Sequence, residues 1–206
     1  MTMSITLYFA PYSSASPVRW ALAELGLEHE AVELDLKAGD QKKPEVVTLN
    51  PMGQVPTLVV NGQAMFESSA CTIFLGDTYG TEKDLWPAIG SPQHMIALTW
   101  IGWGAVTLGT TLRQVIHNDP ETAPDGFPSG PQLTAAKQRL DELMAILDGH
   151  LSDRDYLTGE DFTLADCYVS AVVAWGTGVA GFERENAPHV AEWLKRCMGR
   201  DAAGVM

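Results

Sequence analysis

Basic residues are scarce in this chain. Lys and Arg number 13 against 26 Asp and Glu, and the formal charge at neutral pH is −13. Holding a nucleic-acid backbone or an anionic membrane surface takes clustered Lys and Arg. The charge therefore argues against both partners and reads as a solvated acidic surface. Cysteine is nearly absent. Cys71, Cys167 and Cys197 stand far apart with no C-x-x-C, so no zinc or dithiol motif is visible. Each sits in an apolar helical context and reads as a small packed hydrophobe. The five histidines, at 29, 94, 117, 150 and 189, form neither H-x-x-H nor H-E-x-x-H, so no metal is expected. No stretch approaches the roughly 20 apolar residues of a membrane helix. The start, "MTMSITLYFAPYSS", lacks the basic residues and cleavage site of a secretory signal. The expectation is a cytoplasmic protein with no membrane partner.

Apolar residues are plentiful: 46% of 206, with six Trp, enough for a sizeable core in one large or two small domains. Residues 3–9, "MSITLYF", read as a strand. Residues 17–26 read as a helix, with Pro17 near its start, apolar Val18, Ala21, Leu22 and Leu25 at helical spacing, and Gly26 as its stop. "HEAVELDL" alternates as a second strand, and "GDQKKPEVVTLNP" reads as a short polar helix ending in a turn. "VPTLVV" and "AMF" flank Asn61-Gly62, a hairpin signal. "ESSACTIFLGDTYG" reads as a helix ending at Gly80. Residues 1–80 thus spell β-α-β-α-β-β-α, a small α/β domain with a four-stranded mixed sheet. Residues 81–91 read as a turn-rich linker. Beyond it, 92–206 is all-helical, with helices expected over about 92–117, 131–151, 163–176 and 187–199. The Pro/Gly/Asp-rich loop 117–131 is long enough for a lid.

Three stretches resemble glutathione transferases, in order and over nearly the whole chain. "NPMGQVPTLVVNGQAMFESSACTIFLGD" is similar to that family's N-P-x-G-x-V-P-x-L…E-S-x-A-I-x-x-Y-L pattern. "GEDFTLADCYV" resembles its G-x-x-[FL]-[ST]-x-A-D helix start, and "NAPHVAEWLKRCMGRDA" its closing segment. The resemblance implies a thioredoxin-like α/β N-terminal domain, an all-α C-terminal domain and a homodimer. It also implies glutathione as co-substrate, activated as a thiolate to attack a small apolar electrophile. Two other outcomes share that scaffold: another glutathione-dependent enzyme (isomerase, dehalogenase or peroxidase), or a non-catalytic binding or regulatory protein.

Site residues follow from the matched motifs. Val55-Pro56 precedes a strand, and the family keeps that proline cis. Unpaired backbone N–H and C=O groups of Val55 would accept an extended peptide as an added strand. Glu67 and Ser68 open a helix. Ser68 reads either as an N-cap or, with the free amides, as the holder of a carboxylate, while Glu67 suits the adjacent ammonium of a γ-glutamyl end. Gln54 is placed for the cysteinyl or glycyl part, and Lys37, Lys42 and Lys43 are candidates for the glycyl carboxylate. Thr163 and Asp166 read as a capping box, with Phe162 as its hydrophobic staple, and so as structural.

A free thiol, with a pKa of about 8.5, is mostly protonated at neutral pH. A hydroxyl aimed at sulfur and the positive end of a helix would favour the thiolate. The strand-to-helix junction "APYSSASP" supplies hydroxyls and no cysteine. Aligned without gaps from Leu7 to Leu27, it resembles the bacterial beta-class pattern, with Ser14 where those enzymes carry cysteine. A serine there implies hydrogen bonding to sulfur, as in theta- and zeta-class enzymes. Ser13 and Tyr8 are the alternative hydroxyls. The beta-class His-Lys pair falls here on Gly109 and Thr110, so beta-class substrate chemistry does not carry over. Trp103, Val106, Thr107 and Thr110 would instead form a mostly apolar second-substrate wall, with Tyr12 closing it from the N-terminal side.

Overall fold

The computed structural model describes residues 4–123 and 128–206. Residue 3 of the expected first strand and residues 124–127 of the expected lid lie outside them. The chain forms two compact units. One runs up to Ile89 and also contains Arg200–Met206; the other is Gly90–Gly199.

The first unit is built on strand β1, Ile5–Phe9. Ile5, Leu7 and Phe9 are buried while Thr6 and Tyr8 are half-buried, the period-two pattern of a central strand. β1 pairs in parallel with β2, Glu30–Glu33. A parallel neighbour needs a crossover, and helix α1, Ser16–Glu24, supplies it. After the short helix α2, Pro44–Leu49, the hairpin β3, Thr57–Val60, and β4, Gln63–Phe66, completes the sheet in the order β2-β1-β3-β4. Asn61 and Gly62 both take positive φ, 51° and 83°, as a two-residue primed turn requires. Helix α3, Ser68–Leu75, runs on into a π-helical turn, Gly76–Gly80. The buried Trp86 ring lies directly over Gly76, where any Cβ would collide, and Trp86 Nε1 donates to Asp77 Oδ1 at 2.7 Å. The expected linker is thereby drawn into the first unit as far as Ile89.

The far end of the chain departs from the expected 92–206 domain. The 3₁₀ turn Asp201–Val205 packs on α1. Arg200 donates from Nε and Nη2 to both carboxylate oxygens of Glu24, each at 2.7 Å. Patterning within 187–199 carries no sign of this, because the partner is on the other side of the sequence.

The second unit is helical. α4, Pro92–Gly102, a π-helical stretch, Trp103–Leu108, and α5, Gly109–Asn118, form one helix of 27 residues. By length and composition alone that helix is apolar enough to cross a bilayer, which corrects the expectation that no stretch comes close. Its Gly, Thr and Trp residues mask its apolarity in the sequence. In the fold α4 packs on α7 and α5 on α6 and α7. These partners are α6, Gly130–Leu151, and α7, Leu164–Ala180; α8, Pro188–Met198, follows.

Asp166 is fully buried and takes four hydrogen bonds. Leu157 N and Trp193 Nε1 donate to Oδ1 at 2.8 and 2.9 Å; Thr163 N and Oγ1 donate to Oδ2, both at 2.9 Å. Burial pushes this carboxyl up, against the pull of those four bonds. Asp148 on α6 caps α8 from a distance, accepting from His189 N at 2.7 Å and Val190 N at 3.0 Å.

Candidate functional site

The junction between β1 and α1 divides its hydroxyls by task. Ser13 Oγ donates to Ala10 O at 2.6 Å and accepts from Ala15 N at 3.1 Å. It therefore closes the turn. Ser16 N and Val18 N donate to Ser13 O and Ala15 O, both at 3.0 Å, so turn and helix are one hydrogen-bonded piece. The N-cap position belongs to Ala15, whose methyl group makes no cap bond, so the first amides of α1 are held by backbone carbonyls alone. Ser14 is exposed and donates from Oγ to Val55 O at 2.6 Å. Tyr8 sits half-buried in the central strand opposite Thr57. Tyr12 adopts a left-handed backbone, φ 55°, and the residue is 87% exposed.

Val55 begins the second side of the site. The Val55–Pro56 peptide is cis. The expectation left both polar groups of Val55 unpaired; the carbonyl is instead taken by Ser14, because the β1–α1 turn comes within hydrogen-bond reach. The approach to β3 is held by Asn50, a buried residue the motif reading passed over. Its Nδ2 donates to Gln54 O at 2.9 Å and Thr57 Oγ1 at 3.1 Å, and its Oδ1 accepts from Met52 N at 3.1 Å. The signal was present, as the Asn before Pro in "NPMGQVP". Gln54 keeps an exposed side chain.

The three lysines separate. Lys43 pairs with Asp40 at 2.7 Å. That contact holds the Asp40 carboxyl low and the Lys43 ammonium high. Lys37 is exposed. Lys42 alone reaches the 51–54 loop: Nζ donates to Met52 O at 3.1 Å, and a Cβ on Gly53 would come within 2.8 Å of its Cδ. Gly53 has φ +55°, a conformation glycine adopts without cost.

At the start of α3 the expected cap moves by one residue. Glu67 is the N-cap, with φ 68° and ψ 112°, and Ser68 is the first helical residue. The Glu67 side chain is exposed and makes no cap bond, which leaves the α3 amides without a side-chain partner at the cap. One turn on, Cys71 is buried; burial, then the charge of Glu67, push its thiol up to about 12. All three cysteines are buried.

In the helical unit Trp103, Val106 and Thr107 lie on the π-helical stretch and Thr110 on α5. Trp103 stacks edge-on against the buried Trp100, ring centroids 5.0 Å apart, and Val106 is 67% exposed. Trp100 is core; Trp103 is half-buried. Among the described residues no group of three or more His, Cys, Asp or Glu is placed to hold a metal ion.

Residues 12–78 match the model for the N-terminal domain of glutathione S-transferases, and residues 110–201 match that for the C-terminal domain. The chain is 31% identical to glutathione S-transferase 3 of Zea mays, over 96% of this chain and 90% of that one. It is 28% identical to glutathione S-transferase 2 of Schizosaccharomyces pombe, over 95% and 93%. Among solved structures, a glutathione transferase family member from Pseudomonas fluorescens with two glutathione bound superposes with a TM-score of 0.87 at 25% identity, covering 98% of this chain and 91% of that one. A glutathione transferase from Phanerochaete chrysosporium in complex with oxidised glutathione gives 0.86 at 25% identity, covering 98% and 94%.

Proposed function

Given that the chain belongs to the glutathione S-transferase family, we propose that it is a serine-type glutathione transferase in which Ser14 activates the thiol of bound glutathione for attack on a small apolar electrophile. The observation that carries this reading is the 2.6 Å bond from Ser14 Oγ to Val55 O. It brings the hydroxyl to the edge where an extended peptide would add as a strand. When a cysteinyl N–H takes the Val55 carbonyl, the Ser14 hydroxyl is released to donate to the neighbouring sulfur. Lowering a thiol pKa by about two units takes about 2.7 kcal/mol, and a hydrogen bond to a charged group contributes about 1.5–3 kcal/mol. One such donor is sufficient in magnitude, and the positive end of the α1 dipole adds to it.

The rest of the tripeptide is assigned to the same unit. Its α-carboxylate suits the uncapped amides and Ser68 at the start of α3, its ammonium suits Glu67, its backbone Gln54 and Val55, and its glycyl carboxylate Lys42. Trp103, Val106, Thr107, Thr110 and Tyr12 are assigned to the electrophile. A cytoplasmic homodimer is the setting we propose.

The test follows thiolate absorbance of bound glutathione against pH. In Ser14→Ala the curve is expected to move to higher pH while binding persists, and the rate lost at neutral pH is expected to return in part as pH rises. If that curve overlays wild type while Ser13→Ala or Tyr8→Phe moves, the donor is the other hydroxyl. If none moves, backbone amides hold the sulfur.

A second reading is favoured by the solved relatives that hold two glutathione or oxidised glutathione. In it, one glutathione thiolate attacks a disulfide or peroxide and a second glutathione completes the disulfide, with no protein cysteine involved. Oxidised glutathione as product, with no thioether formed across a panel of electrophiles, would select that chemistry.

A further inference from the structure

We infer that Arg200, acting through Glu24, is a positioning residue for the Ser14 hydroxyl. The inference rests on the assignment of Ser14 made above. Its own support is the clamp at the opposite end of α1. Glu24 lies in the last turn of that helix with its side chain 7% exposed. Its Oε1 accepts from Trp20 Nε1 at 2.9 Å and from Arg200 Nε at 2.7 Å, and Oε2 accepts from Arg200 Nη2 at 2.7 Å. Trp20 is fully buried. The fork of a guanidinium on a carboxylate fixes direction as well as distance. The turn Asp201–Val205 that follows packs along the same helix, with Ala203 buried.

α1 and the serine turn move as one body, because Ser13 and Ala15 are hydrogen-bonded into the first turn of the helix. Nine residues of helix are about 14 Å long. A tilt of about 5° at the clamp therefore displaces the serine end by about 1 Å. The Ser14–Val55 bond of 2.6 Å has no room for such an error, and a donor misplaced by about 1 Å can cost a reaction two orders of magnitude. Arg200 touches neither serine nor Val55. It sets the angle of the helix that presents them.

The experiment compares Arg200→Ala, Arg200→Lys and Glu24→Gln with wild type, each well below its own melting temperature. The readouts are the pH titration of the bound glutathione thiol and the separate values of kcat and KM. In Arg200→Ala the thiol is expected to titrate about one pH unit higher, with kcat at neutral pH down about tenfold and KM changed far less. Part of kcat is expected to return at alkaline pH, and Arg200→Lys should recover more than Arg200→Ala. Should Arg200→Ala not fold, Glu24→Gln carries the test, since it still accepts from Trp20 and carries no buried charge. Variants that melt earlier but overlay wild type in thiol titration and kcat overturn the inference and leave the clamp purely structural. A wild type with no depressed thiol overturns instead the reading of Ser14.

Discussion

Lys42 and Lys43 are neighbours in the chain and opposite in circumstance. Lys43 is engaged by Asp40, whereas Lys42 lies along Gly53 and reaches the loop that leads to Val55. Lys42→Ala is therefore expected to weaken glutathione binding about tenfold, the loss of one charge-assisted contact, while Lys43→Ala changes it less than twofold. Calorimetric titration of both variants checks this; equal effects would place the glycyl carboxylate elsewhere. Sequence alone left the lysines unresolved, because only the left-handed Gly53 and the reach of a side chain separate them. The cis Val55–Pro56 peptide and the helix that opens at Glu67-Ser68 were legible because both sit inside a contiguous motif. Asn50 sat in that motif as well, yet its three bonds depend on how the loop folds back, which no spacing records.

At the scale of elements, helices and strands followed their periods closely, since each buries one face. The caps did not. Thr163-x-x-Asp166 has the form of a local box, but the Asp166 carboxylate also gathers Leu157 and, across 27 residues, Trp193. All four acceptor positions are filled by donors. Asp166→Asn presents an amide N–H₂ to donors that need an acceptor, and is expected to cost about 3 kcal/mol in a denaturant titration. Asp148 caps α8 from 41 residues away, a partner that local sequence around Ala187 cannot reveal. Asp148→Ala should cost about 1 kcal/mol and leave glutathione affinity in the folded protein unchanged; a loss of affinity at full stability would assign Asp148 to the site.

For the molecule as a whole, pH dependence is set in part by His150. Its Nε2–H donates to Leu157 O at 2.8 Å, its Nδ1 accepts from Arg154 at 2.8 Å, and Trp100 packs on its ring at 4.5 Å. Burial, then the Arg154 charge, hold its pKa below the ordinary value, opposed by the Leu157 bond and Asp153. A neutral folded histidine and an unfolded one that titrates near 6.5 give stability that is full above about pH 6.5 and is lost as pH falls below it. The melting temperature should thus drop further between pH 8 and 5.5 in wild type than in His150→Gln, which keeps a donor for Leu157. Parallel curves would remove His150 from the account.

The first unit is not continuous in the chain: Glu24 and Arg200 are 176 residues apart, with the whole helical unit between them. A ribosome reads in one direction. At about 5–20 residues per second, the Glu24 carboxylate exists for about nine to thirty-five seconds before its guanidinium is made. During that interval the sheet and α1 can form, but the helix that presents Ser14 lacks its distal anchor. The piece synthesised first is thus among the last to be finished, and an excised fragment ending at Ile89 would stay in that unfinished state permanently.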